Sequence, residues 1–145
     1  MEIEQKLKTL QIYYAAALAD STIRYGRAGI LDEVITAKRI EQMKSGATLA
    51  QKFGITEPKE AFLQTQDIYG CANWVCDDIQ DGFTARCTDC MLCSISKQMG
   101  EFSPCQLHCL SPIEAMIKGI VLEAEVTILK TLWDDDMCLV TVNIY

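Results

Sequence analysis

Basic residues are scarce: 13 Lys and Arg stand against 20 Asp and Glu, for a formal net charge of -7. Phosphate binding needs a Lys/Arg surface that releases counterions, so a nucleic-acid partner is excluded. Long hydrophobic runs are absent, and no window reaches the roughly 18 consecutive apolar residues of a membrane span. The opening Met1-Glu2-Ile3-Glu4-Gln5-Lys6 lacks the basic-then-apolar pattern of a secretory signal, which points to the cytoplasm. Histidine is nearly missing, with His108 alone, and no internal repeat or low-complexity linker occurs. Only three prolines are present, and each reads as the first residue of a helix.

Cysteine is what the chain has in excess. Seven of its eight cysteines fall between Cys71 and Cys109, the densest group being Cys87, Cys90 and Cys93, followed by Cys105, His108 and Cys109. A reducing cytoplasm disfavours structural disulfides, so the cluster reads as a metal-ligating or thiol-reactive segment.

The 145 residues, 50% of them hydrophobic, suit one domain with a substantial core. Leu7, Leu10, Tyr14, Ala17 and Leu18 recur at three- and four-residue steps and predict a helix from Glu4 to about Arg24 with those residues inward. A second helix is expected from Leu31 to Phe53, burying Val34, Ala37, Ile40 and Leu49, interrupted at Gly46 and stopped by Gly54. A third starts at Pro58 and ends near Gly70. Asn73 to Gln80 and Phe83 to Thr88 then flank Asp81-Gly82, a two-residue hairpin signal. Ser103-Pro104 and Ser111-Pro112 both look like helix starts, and Ser111 with Glu114 fits a capping box leading into a helix to about Leu122. A last hairpin joins Glu125 to Trp133 with Met137 to Tyr145 through Asp134-Asp135-Asp136. The fold class is α+β: N-terminal helices packed on a four-stranded antiparallel sheet made of two hairpins, with a cysteine-rich connection.

The C-x2-C-x2-C run lets one turn of chain aim several sulfurs at one point, as tetrahedral zinc and iron–sulfur clusters both require. The expected ligands are Cys87, Cys90, Cys105 and Cys109, with Cys93 and His108 as substitutes, zinc as the favoured occupant and an iron–sulfur cluster as the alternative. Buried free thiols or disulfides are the structural alternatives. Cys71, Cys76 and Cys138 are assigned to packing. Cys105, just after Ser103-Pro104, is the candidate nucleophile if the chain is an enzyme. The segment Thr48 to Thr56 resembles part of a helix-turn-helix, but the residues after Thr56 are poor in lysine and arginine. The aspartates of both hairpins read as solvated turns.

From Trp74 to Thr88 and on through Cys90, then in Phe102-Ser103-Pro104-Cys105, the helix after Pro112, and Thr131 to Cys138 leading into the last strand, the chain resembles the 4-vinyl reductase-like domain. It is similar there also to the L-2-amino-thiazoline-4-carboxylic acid hydrolase family. The resemblance covers about residues 70 to 145. It implies an α+β ligand-binding fold, often dimeric, with a pocket between helices and sheet. The first family implies small-molecule binding beside a cysteine-bound metal; the second implies hydrolytic opening of a sulfur heterocycle to a carbamoyl-cysteine product. The expected function is therefore a cytosolic small-molecule-binding or sensor domain with a cysteine-rich zinc site. The alternatives are a small hydrolase or an accessory subunit, and the expected partner is a small molecule, in a homodimer or a larger complex.

Overall fold

A computed structural model describes residues 1–144. Helices α1 (Ile3–Arg27), α2 (Leu31–Lys52) and α3 (Pro58–Tyr69) precede a hairpin of β1 (Val75–Ile79) and β2 (Gly82–Cys87). Helix α4 (Met91–Met99), a π-helical segment (Cys105–Leu110) and α5 (Ser111–Ile120) come next, and β3 (Glu125–Lys130) with β4 (Cys138–Asn143) closes the chain. The strands form one antiparallel sheet in the order β1-β2-β4-β3, so the two hairpins join through β2 and β4. The α+β architecture is the one expected, and no helix is long and apolar enough to cross a membrane.

The core lies between one face of the sheet and helices α3 and α5. Phe83 and Ala85 from β2 and Val140 and Val142 from β4 meet Phe62, Ile113, Met116 and Ile117. Those strand residues alternate in sequence, so their side chains share one face. Phe62 makes edge-to-face contacts with Trp74 at 4.9 Å and Phe83 at 6.0 Å between ring centroids. A second cluster joins Ala15 and Ala19 of α1 to Leu92 of α4.

Several expectations need correction. The buried stripe of α1 is Ala15, Ala19, Thr22 and Ile23, while Leu7, Leu10, Tyr14 and Ala17 are exposed, because small side chains let α4 approach closely. Helix α2 buries Gly46 and Ala50 rather than Ala37 and Ile40, and it runs through Gly46 without a break. A Cβ at Gly46 would overlap the Ala115 carbonyl, and one at Gly119 would meet the backbone of Ala47, so this glycine pair sets how closely α2 and α5 cross. Gly54, at φ +69°, does stop α2.

The first hairpin turns at Gln80-Asp81, since Ile79 already pairs with Gly82. Gly82 serves instead as a close-approach site, where a side chain would strike the Val142 carbonyl. The cysteine-rich connection contains a full helix, α4. The Ser111–Glu114 capping box does not form, because α5 continues directly from the π-helical segment. Ser111 Oγ accepts from Gln106 Nε2 at 2.6 Å, and Glu114 turns to a different partner.

That partner is Arg39 of α2, whose guanidinium holds both Glu114 carboxylate oxygens at 2.7 Å, with Lys118 adding a contact at 3.3 Å. The bidentate pair ties α2 to α5 beside the glycine crossing.

Candidate functional site

Two cavities share a wall in this molecule. The larger, about 460 Å³, opens among α1, α2, α3 and the π-helical segment, a size within the range of small-molecule sites. Its walls carry aromatic rings from Tyr14, Tyr25, Phe53, Tyr69 and Trp74, with Tyr14 and Tyr69 stacked at 5.3 Å. Gln42 Nε2 donates to the Leu107 carbonyl at 3.4 Å. The side-chain oxygens of Gln42 and Gln66 have no hydrogen-bond partner among the described residues. Three thiols, Cys71, Cys90 and Cys109, also line this pocket.

The smaller cavity, about 20 Å³, lies on the other side of Ala72, Trp74, Cys90, Leu92 and Cys109. Six cysteines surround it: Cys87, Cys90, Cys93, Cys105, Cys109 and Cys138. All eight cysteines of the chain are free.

Local chemistry explains the convergence. Asn73 Oδ1 accepts from the backbone N–H groups of Thr88 and Asp89 at 3.0 and 3.1 Å, and Met91 N–H donates to the Cys71 carbonyl at 2.6 Å. These bonds fold the loop after β2 over the strand entering β1 and fix Cys87 and Cys90 on one side. From the other side comes the π-helical segment, where Ser103 Oγ caps the Cys105 N–H at 3.2 Å. A π-helix within or beside an α-helix frequently marks a functional site. Here it places Cys105 against the small cavity, His108 against the large one, and Cys109 against both.

Four of the six thiols of the small chamber stand in two pairs. Cys87 and Cys138 face each other across β2 and β4. A hydrogen bond from Cys138 lowers the Cys87 thiol from its ordinary 9.0 to about 7, while Cys138 itself is pushed up. When protonated, Cys87 donates to the Asp89 carbonyl at 3.1 Å. Likewise a bond from Cys93, helped by Ser103, lowers Cys105 to about 7 and pushes Cys93 up. Burial raises Cys90 to about 12 and drives Cys109 well above its ordinary value. Each pair thus holds one acidic thiol and one reluctant one.

Of the residues singled out from sequence, Cys87, Cys90, Cys93, Cys105 and Cys109 meet around one chamber. His108 stands apart from it, with Nε2 3.1 Å from Ser21 Oγ, and Cys105 is absent from the larger pocket. Cys138, assigned to packing, is buried and also completes the chamber, a placement that only the pairing register of β2 with β4 could have disclosed. Cys71 joins the pocket wall, and Cys76 reaches neither cavity. Among the described residues, no three His, Cys, Asp or Glu side chains already stand in a metal-ligating arrangement. The donors nonetheless suit a soft ion, being thiols alone around a space of about one water molecule.

No protein-family profile matches the chain, and comparison with curated proteins and with solved structures finds no significant match.

A half-buried histidine and a buried glutamate give the fold a pH signature. Burial lowers His108 from 6.5 to about 4. The unfolded chain therefore takes up this proton first, and the stability held by neutral His108 is complete above about pH 6.5 and lost as pH falls toward 4. Burial alone would raise Glu114, but Arg39 and Lys118 outweigh it and hold the carboxyl below 4.5. Its contribution is present above pH 4.5 and disappears as pH falls through the lower folded value. Urea midpoints measured against pH should drop in two stages, and His108→Gln should flatten only the upper one. A single stage unaffected by that substitution would contradict the assignment.

Proposed function

We propose that this chain is a small-molecule-binding domain whose pocket is floored by a cysteine-ligated zinc site. The observation that carries the reading is the shared wall: Cys90 and Cys109 border both the 460 Å³ pocket and the chamber of six thiols. Aromatic and apolar walls would supply affinity, and the amide groups of Gln42 and Gln66 would orient a ligand. Cys87, Cys90, Cys105 and Cys109 would hold the metal. Zinc supplies a charge that keeps bound thiolates deprotonated despite burial, and it would fasten the loop after β2 to the π-helical segment. A reducing compartment such as the cytoplasm would keep the thiols available. The resemblance to 4-vinyl reductase-like domains agrees with this combination of pocket and metal, and an apolar ligand suits the walls.

The pocket half of the reading is tested with N-phenyl-1-naphthylamine, a neutral apolar fluorophore. The reduced full chain should bind it stoichiometrically with enhanced emission. Val34→Trp, at a half-buried wall position of α2, should abolish binding while leaving the melting temperature nearly unchanged. Equal binding by wild type and variant would place the dye elsewhere and remove support for the pocket.

A further inference from the structure

Cys87 and Cys138 are partners in the antiparallel ladder of β2 and β4. The Ile144 N–H donates to the Asp81 carbonyl at 2.8 Å, and the pairs Phe83–Val142, Ala85–Val140 and Cys87–Cys138 continue that series at steps of two. Each is therefore a hydrogen-bonded pair, whose Cα atoms lie about 5.5 Å apart. Disulfides span Cα separations of about 4.4 to 6.8 Å. Both side chains point to the core face, both are buried, and both border the same small chamber. A hydrogen-bonded pair holds its opposite Cβ atoms about 5.5 Å apart, wider than the roughly 3.5 to 4.5 Å of a relaxed disulfide, so a bridge here draws the strands together and is readily reduced.

The chamber beside the pair determines what can oxidise it. At about 20 Å³ it admits one molecule the size of water. Hydrogen peroxide is close to that size, whereas glutathione disulfide is many times too large. The large pocket lies on the other side of a wall formed in part by Cys90 and Cys109.

We infer that Cys87 and Cys138 form a reversible disulfide selectively with hydrogen peroxide, a modification that metal ligation does not require. The sulfur of Cys87 attacks one peroxide oxygen and breaks the O–O bond, giving a sulfenic acid, and the departing oxygen leaves as water with the thiol's proton. Cys138 sulfur then displaces the hydroxyl group from the sulfenic sulfur, and that group leaves as a second water with the Cys138 proton. Two thiols lose two electrons and one peroxide becomes two waters. A dithiol reductant reverses the change.

The experiment uses the reduced full chain, held metal-free with a chelator so that zinc ligation plays no part. After exposure to hydrogen peroxide, non-reducing peptide mapping should show Cys87 joined to Cys138 with the loss of two hydrogens. An equal concentration of glutathione disulfide should leave both thiols free. Cys138→Ser should abolish the crosslink and leave Cys87 as a sulfenic acid captured by dimedone, and Cys93→Ser should leave the crosslink intact. If Cys138→Ser does not fold, the wild-type map decides alone. Cys87 and Cys138 still free after peroxide has saturated other thiols, Cys87 joined to a different cysteine, or glutathione disulfide producing the crosslink as fast as peroxide would each overturn the inference.

Discussion

Replacing Gly46 with alanine should destabilise the protein by about 3 kcal/mol, or roughly 10 °C in melting temperature. The sign is the informative part. Glycine to alanine in a helix interior ordinarily gains up to about 1 kcal/mol. Here the added methyl would overlap the Ala115 carbonyl, and backbone cannot rotate aside as a flexible side chain does. Relief requires α2 to withdraw from α5. That withdrawal would strain the Arg39–Glu114 fork and displace Gln42, Ser45 and Leu49 from the pocket wall. Urea denaturation gives the stability change, and Lys44→Ala, an exposed position on the same helix, should change it little. Unchanged or increased stability in Gly46→Ala would show that the two helices have room to spare.

Zinc added to the reduced, metal-free chain should raise its melting temperature by about 13 °C once the free ion exceeds its dissociation constant a thousandfold. Such linkage is worth about 4 kcal/mol. The shift should shrink or vanish in Cys87→Ala, Cys90→Ala, Cys105→Ala and Cys109→Ala. It should persist in Cys76→Ala, which lies away from both cavities. Reading the zinc-dependent shift rather than the absolute melting temperature separates lost ligation from the small packing defect each substitution creates. Cys138→Ala is the most instructive variant: loss of the shift would mean that the ligand set includes the last strand and ties both hairpins together. Elemental analysis after anaerobic purification, with an absorption spectrum to detect iron–sulfur colour, identifies the occupant. No stoichiometric metal and no shift would leave a pocket floored by free thiols.

Local signals carried the fold further than they carried the site. Hairpins, proline-initiated helices and the α+β order were readable because each depends on a few adjacent residues. The inward stripe of α1 was not, since Leu7 and Leu10 outweigh alanines on any hydrophobic scale, yet Ala15 and Ala19 are what allow α4 to dock. Gly46 looked like a helix breaker because its purpose depends on Gly119, a residue far along the chain. The helical spacing of Met91, Leu92, Ile95 and Met99 was present but overshadowed by the cysteines among them. Ser111 and Glu114 have the right identities and spacing for a cap, but a preceding π-helical segment left that cap nothing to begin. Of the residues that spacing grouped, five cysteines line one chamber and His108 does not, and among the described residues no three of them already stand as metal ligands. The sixth, Cys138, depends on which strand lies beside β2, and no short motif encodes a pairing between residues so distant in sequence.

The partition made by Cys90 and Cys109 has a consequence for measurement. Whatever occupies one side presses on atoms that also face the other, so the two equilibria are linked. If an organic guest changes the chamber's affinity for an ion by some factor, the ion must change the guest's affinity by the same factor. Titrating either species against a fixed amount of the other would therefore report on both compartments, even when only one of them carries a spectroscopic label.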